Sequence, residues 1–431
     1  MGDFSTLLYR WIERRKLKKT LAQVDIENQS NKGVVKYQLS DIEAFIERDP
    51  SVGSYIISGG SSHIRAKAIS AAVACSAMQN IPVVILHEGD RSVERAIQSI
   101  GLPVGMLTIV NSASENYDPF YNRNAQEIGL LAINSQRDNI KITPVGQQYI
   151  SGIAEFIQTK AAANYCRLFM TCPHEQLFEK IDNALAKGKL TDSQASHIKS
   201  LLLQGQTEVS NVRAFLDDLS TNCSGYLYQR KSSIIPCNIR SCVQNGEIVM
   251  IDIGSSANEV LLNVLIYEIQ ELLSNSKEIM LILDGISLNS NTALSKVIKS
   301  LSTRCHTVLS SDDVYSMLGA DDNVFNTFVG NANQCLILTH TSGTACSKWA
   351  DVIGHYNEKK ISQNQGSTRH TMPENNPFLP WQGGYAAINQ VSFSMSREYI
   401  VKPEEIAHLP NDQVYIIDQI RRELLNSTIN T

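Results

Sequence analysis

Residues 55 to 66, YIISGGSSHIRA, have the layout of a phosphate-binding loop: a short apolar strand, a glycine pair, and a run of good helix formers from Ala66 to Met78. In such a loop, backbone amides cradle phosphates, a lysine reaches the terminal ones and a Ser/Thr hydroxyl holds magnesium, in the pattern G-x-x-x-x-G-K-[ST]. Counting from Gly59 puts Ile64 at the second glycine, Arg65 at the lysine and Ala66 at the hydroxyl. Arg65 keeps the positive charge, but a planar guanidinium is not a compact ammonium, and Ala66 cannot ligate a cation. Gly59, Gly60, Ser61 and Ser62 can still offer amides to an anion at the helix N-terminus. Three readings stand: a loop that hydrolyses ATP, one that binds nucleotide weakly or in an altered way, and a plain strand-to-helix turn. ATP and magnesium are the only cofactors these residues point to.

A second element of such a site would be an apolar strand ending in acid. EIMLIL, followed by Asp284, fits, because ligands of parallel sheets gather at the C-terminal strand edge. Gly285 stands where a hydrolytic site would carry a glutamate to polarise water. Asp284 alone can hold magnesium through water, or simply form a turn. Asp252, before Gly254, reads as a turn residue, and Asp312-Asp313 as a helix cap. His63 and His87 reach the same predicted edge. No nucleophile elbow, H-E-x-x-H motif or dinucleotide fingerprint is present. Nine cysteines without a C-x-x-C pair argue against a disulfide framework or zinc ribbon.

The elements that must position these residues alternate. Strands are expected at 55–58, 82–87, 106–110, 247–253, 278–283, 306–310 and 334–338. Helices lie between them, which is the pattern of a parallel sheet with crossover helices. A strand at 34–39, with a helix from Ser40 or Asp41, precedes them. From Asn124 to about Leu219 the pattern is helical, with a capping box at Thr191 to Gln194. The expected organisation is a basic N-terminal helix and polar linker (1–31), an α/β domain in two parts (32–123 and 226–420), an all-α insert (124–225) and a tail (421–431). The polar stretch 357–380 reads as a loop, followed by strands near 397–401 and 413–417.

With 431 residues, 43% hydrophobic and 19% charged, the chain has a globular composition, and its net charge of −5 carries no global field for nucleic acid. The exception is Arg10, Arg14, Arg15, Lys16, Lys18 and Lys19 on the first helix, a cluster suited to an anionic surface or simply to solvent. No apolar run reaches the roughly 18 residues of a membrane span, and no signal peptide is visible, so the expected location is cytoplasmic.

The order of these pieces resembles the TraG/TraD-like coupling proteins of type IV secretion and conjugation, in the FtsK/HerA group of ring ATPases. YIISGGSSHIRA stands at the family's P-loop, VVILHEGD at its charged turn, Asp118-Pro119-Phe120 at its Asn/Asp-Pro turn, and MLILDGISL at the second phosphate-site strand. HTVLSSDDVYSMLG stands at the sensor strand, SGTACSKWADVIG at the next helix, and REYIVKPEEIAHLPNDQVYII at the closing segment. The resemblance implies a RecA-like, P-loop NTPase fold with an all-α insert. It also implies a hexamer-type assembly, or a complex with an active coupling ATPase, that handles DNA or secreted protein at the inner membrane. The family's lysine, magnesium hydroxyl, catalytic glutamate and sensor glutamine are all absent here, which points to a degenerate nucleotide site.

Overall fold

The computed structural model describes residues 2–38, 53–89, 91–137, 141–159, 166–169, 174–229, 234–254, 259–275, 278–287, 294, 297, 305–369 and 385–428. A long helix α1 (Gly2–Lys32) and strand β1 (Val34–Gln38) open the chain. They are followed by β2 (Tyr55–Ser58), α2 (Ser62–Met78), β3 (Val83–His87), α3 (Arg91–Gln98) and β4 (Leu107–Val110). A helical stretch comes next: α4 (Ala125–Asn134), α5 (Pro144–Gln158), α6 (Cys166–Phe169), α7 (His174–Ala186), α8 (Asp192–Gln204), α9 (Val209–Asn222) and α10 (Ile239–Gln244). The alternation then resumes with β5 (Ile248–Asp252), α11 (Glu259–Ser274), β6 (Met280–Asp284), β7 (His306–Ser311), α12 (Val314–Met317), α13 (Asp322–Asn331), β8 (Gln334–Ile337) and α14 (Gly343–Ile353). A hairpin of β9 (His355–Arg369) and β10 (Tyr385–Tyr399), then α15 (Pro403–Ala407), β11 (Gln413–Asp418) and β12 (Glu423–Thr428), complete it.

Ten strands form one sheet in the order β1-β12-β11-β8-β2-β7-β6-β3-β5-β4. The seven from β8 to β4 are mutually parallel, and β11 joins β8 and β12 in antiparallel fashion. Both faces are buried, so the central strands are continuous apolar runs rather than alternating ones. Tyr55 and Ile57 of β2 enter a core with α2 and α3, whereas Ile56 enters the larger core with the helical insert and α11. The capping box at Thr191 and Gln194 opens α8, and a second, Asn124 with Glu127, opens α4.

Three expectations are corrected. The polar segment before Gly33 completes α1 rather than forming a loose linker, and residues 423–428, in the expected tail, form β12 between β1 and β11. Residues 357–369, expected as loop, belong to the ribbon β9–β10. A two-stranded ribbon has no face that must be apolar, so its sequence carries no period-2 signal. The ribbon is instead clamped to α1. The Asn28 side chain accepts from Lys359 N–H (2.9 Å) and donates to Lys359 O (3.1 Å), while Lys359 Nζ pairs with Glu27 (3.1 Å). The helix expected from Ser40 or Asp41 lies outside the described residues, as does nearly all of the one expected at 291–302.

A buried ionic knot ties α11 to the chain just before and just after the long helical stretch. Arg123 pairs with Glu268 (3.0 Å, both side chains fully buried) and Glu271 (2.6 Å), and its Nε donates to Pro119 O. Tyr117 Oη donates to Glu268, and Asn238 Nδ2 donates to Tyr121 O. Asp118 accepts N–H bonds from Phe120 and Cys166, and burial pushes its carboxyl up to about 7. Removing one member strands a buried charge. Glu268→Ala is therefore expected to lower stability by about 3–5 kcal/mol in urea unfolding, and a joint Arg123→Met/Glu268→Leu change by clearly less than the single one. Asp118 binds its proton more tightly folded than unfolded. Its contribution is complete in acid and is lost as pH rises through about 7. The urea midpoint should rise from about pH 8 to about pH 6, and this rise should flatten in Asp118→Asn.

Candidate functional site

Strand register builds the edge. Ser58 of β2 aligns with Ser311 of β7 and Ile337 of β8, Asp284 of β6 with Ser310 of β7, and His87 of β3 with both Asp284 and Asp252 of β5. The predicted loop and Asp284 thus meet at one C-terminal edge, separated by the single strand β7.

The loop itself is tight. Helix α2 begins at Ser62, four residues before its expected start, so only Gly59, Gly60 and Ser61 lie between strand and helix. Ser61 occupies the N-cap in extended conformation without a side-chain capping bond, and Ile64, Arg65 and Ala66 fall within the helix. Gly59 (φ +91°) and Gly60 (φ +66°) turn left-handed, and each spends its amide on a neighbouring strand end: Gly59 N–H on Ser311 O (2.9 Å) and Gly60 N–H on Thr339 O (2.8 Å). Ala66 is fully buried in the α2 core. Ser62 is partly exposed at the first position of α2.

Arg65 folds back over this turn. Its Nη1 donates to Gly60 O (2.7 Å) and Gly59 O (3.3 Å), and its buried Nε makes no hydrogen bond but lies 4.0 Å from Asp284 Oδ1. Asp284 in turn accepts from Ser310 Oγ (2.5 Å). A guanidinium therefore spans the gap between loop and strand-end carboxylate, where a P-loop would hold a magnesium-bound phosphate. Two of the loop's amides thus bond to carbonyls, position 66 carries no hydroxyl, and a guanidinium lies between loop and acid.

Sequence reasoning missed the support beneath the loop. Ser58 Oγ donates to His340 Nε2 (2.8 Å) and accepts from Trp349 Nε1 (3.1 Å) and Val314 N–H (3.3 Å), while His340 Nδ1 donates to Leu338 O (2.8 Å). Burial holds His340 below its ordinary pKa, which suits this neutral tautomer. A Cβ at Gly59 would sit 2.5 Å from both His340 Nδ1 and Thr339 O, which explains the glycine. The signal was available: His340 lies just past a predicted strand, at the edge where ligands collect. Glu88 was also passed over. It follows β3, beside Asp284, and burial together with that carboxylate raises its pKa.

The remaining candidates have local roles. Asp252 accepts from Gly89 and Gly254 N–H and so forms a turn, and Asp313 caps α12 through Ser316 N–H. His63 is exposed at the start of α2, and His87 is buried at the end of β3. None of the eight described cysteines is in a disulfide, and no group of three His, Cys, Asp or Glu among the described residues could hold a metal.

This architecture, a parallel sheet whose loop-bearing strand is parted from the acid-bearing strand by one other, is that of the P-loop NTPase-like α/β proteins. Among solved structures the chain is similar to the bacterial conjugative coupling protein TrwBdeltaN70 in its unbound monoclinic form, at 14% identity, covering 89% of this chain and 86% of that one, with a TM-score of 0.51. It is also similar to the plasmid coupling protein TrwB in complex with a non-hydrolysable ATP analogue (14% identity, 94% and 92% covered, TM-score 0.52) and with a non-hydrolysable GTP analogue (13%, 94% and 92%, TM-score 0.51). The chain has the coupling-protein fold. No family model and no curated protein matches it.

Left-handed backbone alone costs an alanine about 1 kcal/mol, and collision adds to it. Gly59→Ala is expected to reduce unfolding free energy by more than about 2 kcal/mol. Gly188→Ala, also left-handed but with nothing near its Cβ, should cost about 1 kcal/mol.

Proposed function

We propose that this protein is a coupling-protein-like component of conjugative DNA transfer or type IV secretion that assembles the machinery or recruits substrate, and does not itself turn over ATP. The supporting observation is Arg65, which occupies the gap between the Gly59-Gly60 carbonyls and Asp284. The fold shared with TrwB supplies the transfer context. In this reading the insert and the outer faces make contacts with copies of the chain or with an active coupling ATPase, and DNA or secreted protein is the cargo. The degenerate P-loop of Gly59, Gly60, Ser61, Ser62, Arg65 and Ala66, with Asp284 as its acidic partner, is a structural relic. It works at the cytoplasmic side of the inner membrane. Among the described residues no helix is long and apolar enough to cross a membrane.

A second reading, an unorthodox ATPase using Arg65 and Asp284, is favoured by Glu88 beside Asp284, which could polarise water in place of the glutamate missing at Gly285. Calorimetry with ATP, with and without magnesium, and a phosphate-release assay with and without DNA separate the two. The expected result is no magnesium-dependent binding or turnover, with Arg65→Ala leaving that unchanged. Robust hydrolysis abolished by Asp284→Asn or Glu88→Gln would establish the second reading and sink the first.

A further inference from the structure

We propose that the N-terminal part of α1 is a docking element for an anionic lipid surface. Residues 10 to 19 hold six basic residues and one acidic, a net +5, so the rest of the chain carries −10. Charge this unevenly divided repels the body from an anionic bilayer and draws in the helix alone, which fixes an orientation as well as an affinity.

Structure adds what charge does not. The described contacts that dock α1 come from its C-terminal half, through buried Val24 and the Glu27 and Asn28 bonds to Lys359. Ahead of them Arg14, Arg15, Lys16, Lys18 and Lys19 are all exposed. Trp11 stands 56% exposed with the Arg15 guanidinium 4.9 Å from its ring centroid, and Leu21 is also exposed. On the ribbon, Phe393 and Met395 are 54% and 75% exposed, and Lys359 reaches both Glu27 of α1 and the Phe393 ring. An indole beside a polybasic run, with further apolar side chains bared along the same appendage, suits the headgroup boundary, where tryptophan and basic residues both settle. A duplex DNA contact would use the charge but leave the apolar Leu21 and Met395 without a role. The proposal depends on no nucleotide or transfer partner, so it stands or falls separately from the function proposed above.

The test is co-sedimentation of the full chain with phosphatidylglycerol–phosphatidylcholine vesicles against phosphatidylcholine alone, with duplex DNA as a competing probe. Binding is expected only to the anionic vesicles and should weaken as salt rises. It should fall more than about tenfold in Arg14→Ala/Arg15→Ala/Lys18→Ala/Lys19→Ala, and remain in the control Lys187→Ala/Lys189→Ala. Tryptophan emission, read in a Trp381→Phe background so that only Trp11 and the already buried Trp349 report, should shift to the blue on binding, and the shift should vanish when Trp11→Phe is added. Circular dichroism checks that each variant folds. No vesicle binding, equal loss in the control, retention in the quadruple variant, or α1-dependent capture of DNA in place of vesicles would each overturn the proposal.

Discussion

The Ser58 hydroxyl is where four separate parts of the chain meet. It ends β2, gives its proton to His340 beyond β8, and accepts from Trp349 of α14 and from the first amide of α12, which follows β7. All of these groups are buried, and a buried polar network is stabilising only when each member is satisfied. The network fixes how β2, β7 and β8 end relative to one another. That leaves room for a turn of only Gly59, Gly60 and Ser61, and the position of Arg65 follows from it. The geometry of the nucleotide-like edge is therefore set from below, by packing that never touches the edge's open side.

The same principle operates where the chain enters and leaves the long helical stretch. Tyr117, Asp118 and Arg123 lie where the chain leaves the sheet, Asn238 where it returns, and Glu268 and Glu271 on α11 between them. These charges are paired in the interior where the chain leaves and rejoins the sheet, so removing one partner strands a buried charge there. The helices between those two points pack into the sheet's larger core.

The molecule is divided by polarity as well as by architecture. The sheet and insert are compact and acidic on balance, whereas α1 and the β9–β10 ribbon form a joined appendage with basic, aromatic and apolar groups at its surface. The Asn28–Lys359 pairing makes the two halves of that appendage one unit, since an asparagine side chain meets both the donor and the acceptor of a strand residue.

The sequence by itself determined the elements whose cause is local. The parallel strands were legible as apolar runs broken by helical periods, α8 by its Thr191–Gln194 box, and the loop by Gly59-Gly60 after an apolar strand. The meeting of that loop with Asp284 followed from the rule for strand ends. Other features were illegible because their cause is not local. The ribbon has no apolar alternation, β12 gains its identity only from pairing with β1 and β11, and α2 starts early because Ser58 is fixed by residues more than two hundred positions away. Counting against a motif could say that Arg65 replaces a lysine. Only the tertiary structure decided what Arg65 does there, because the loop carbonyls and the carboxylate that surround it come from strands the chain reaches at widely separated times. Their distances are set by sheet register rather than by spacing along the chain.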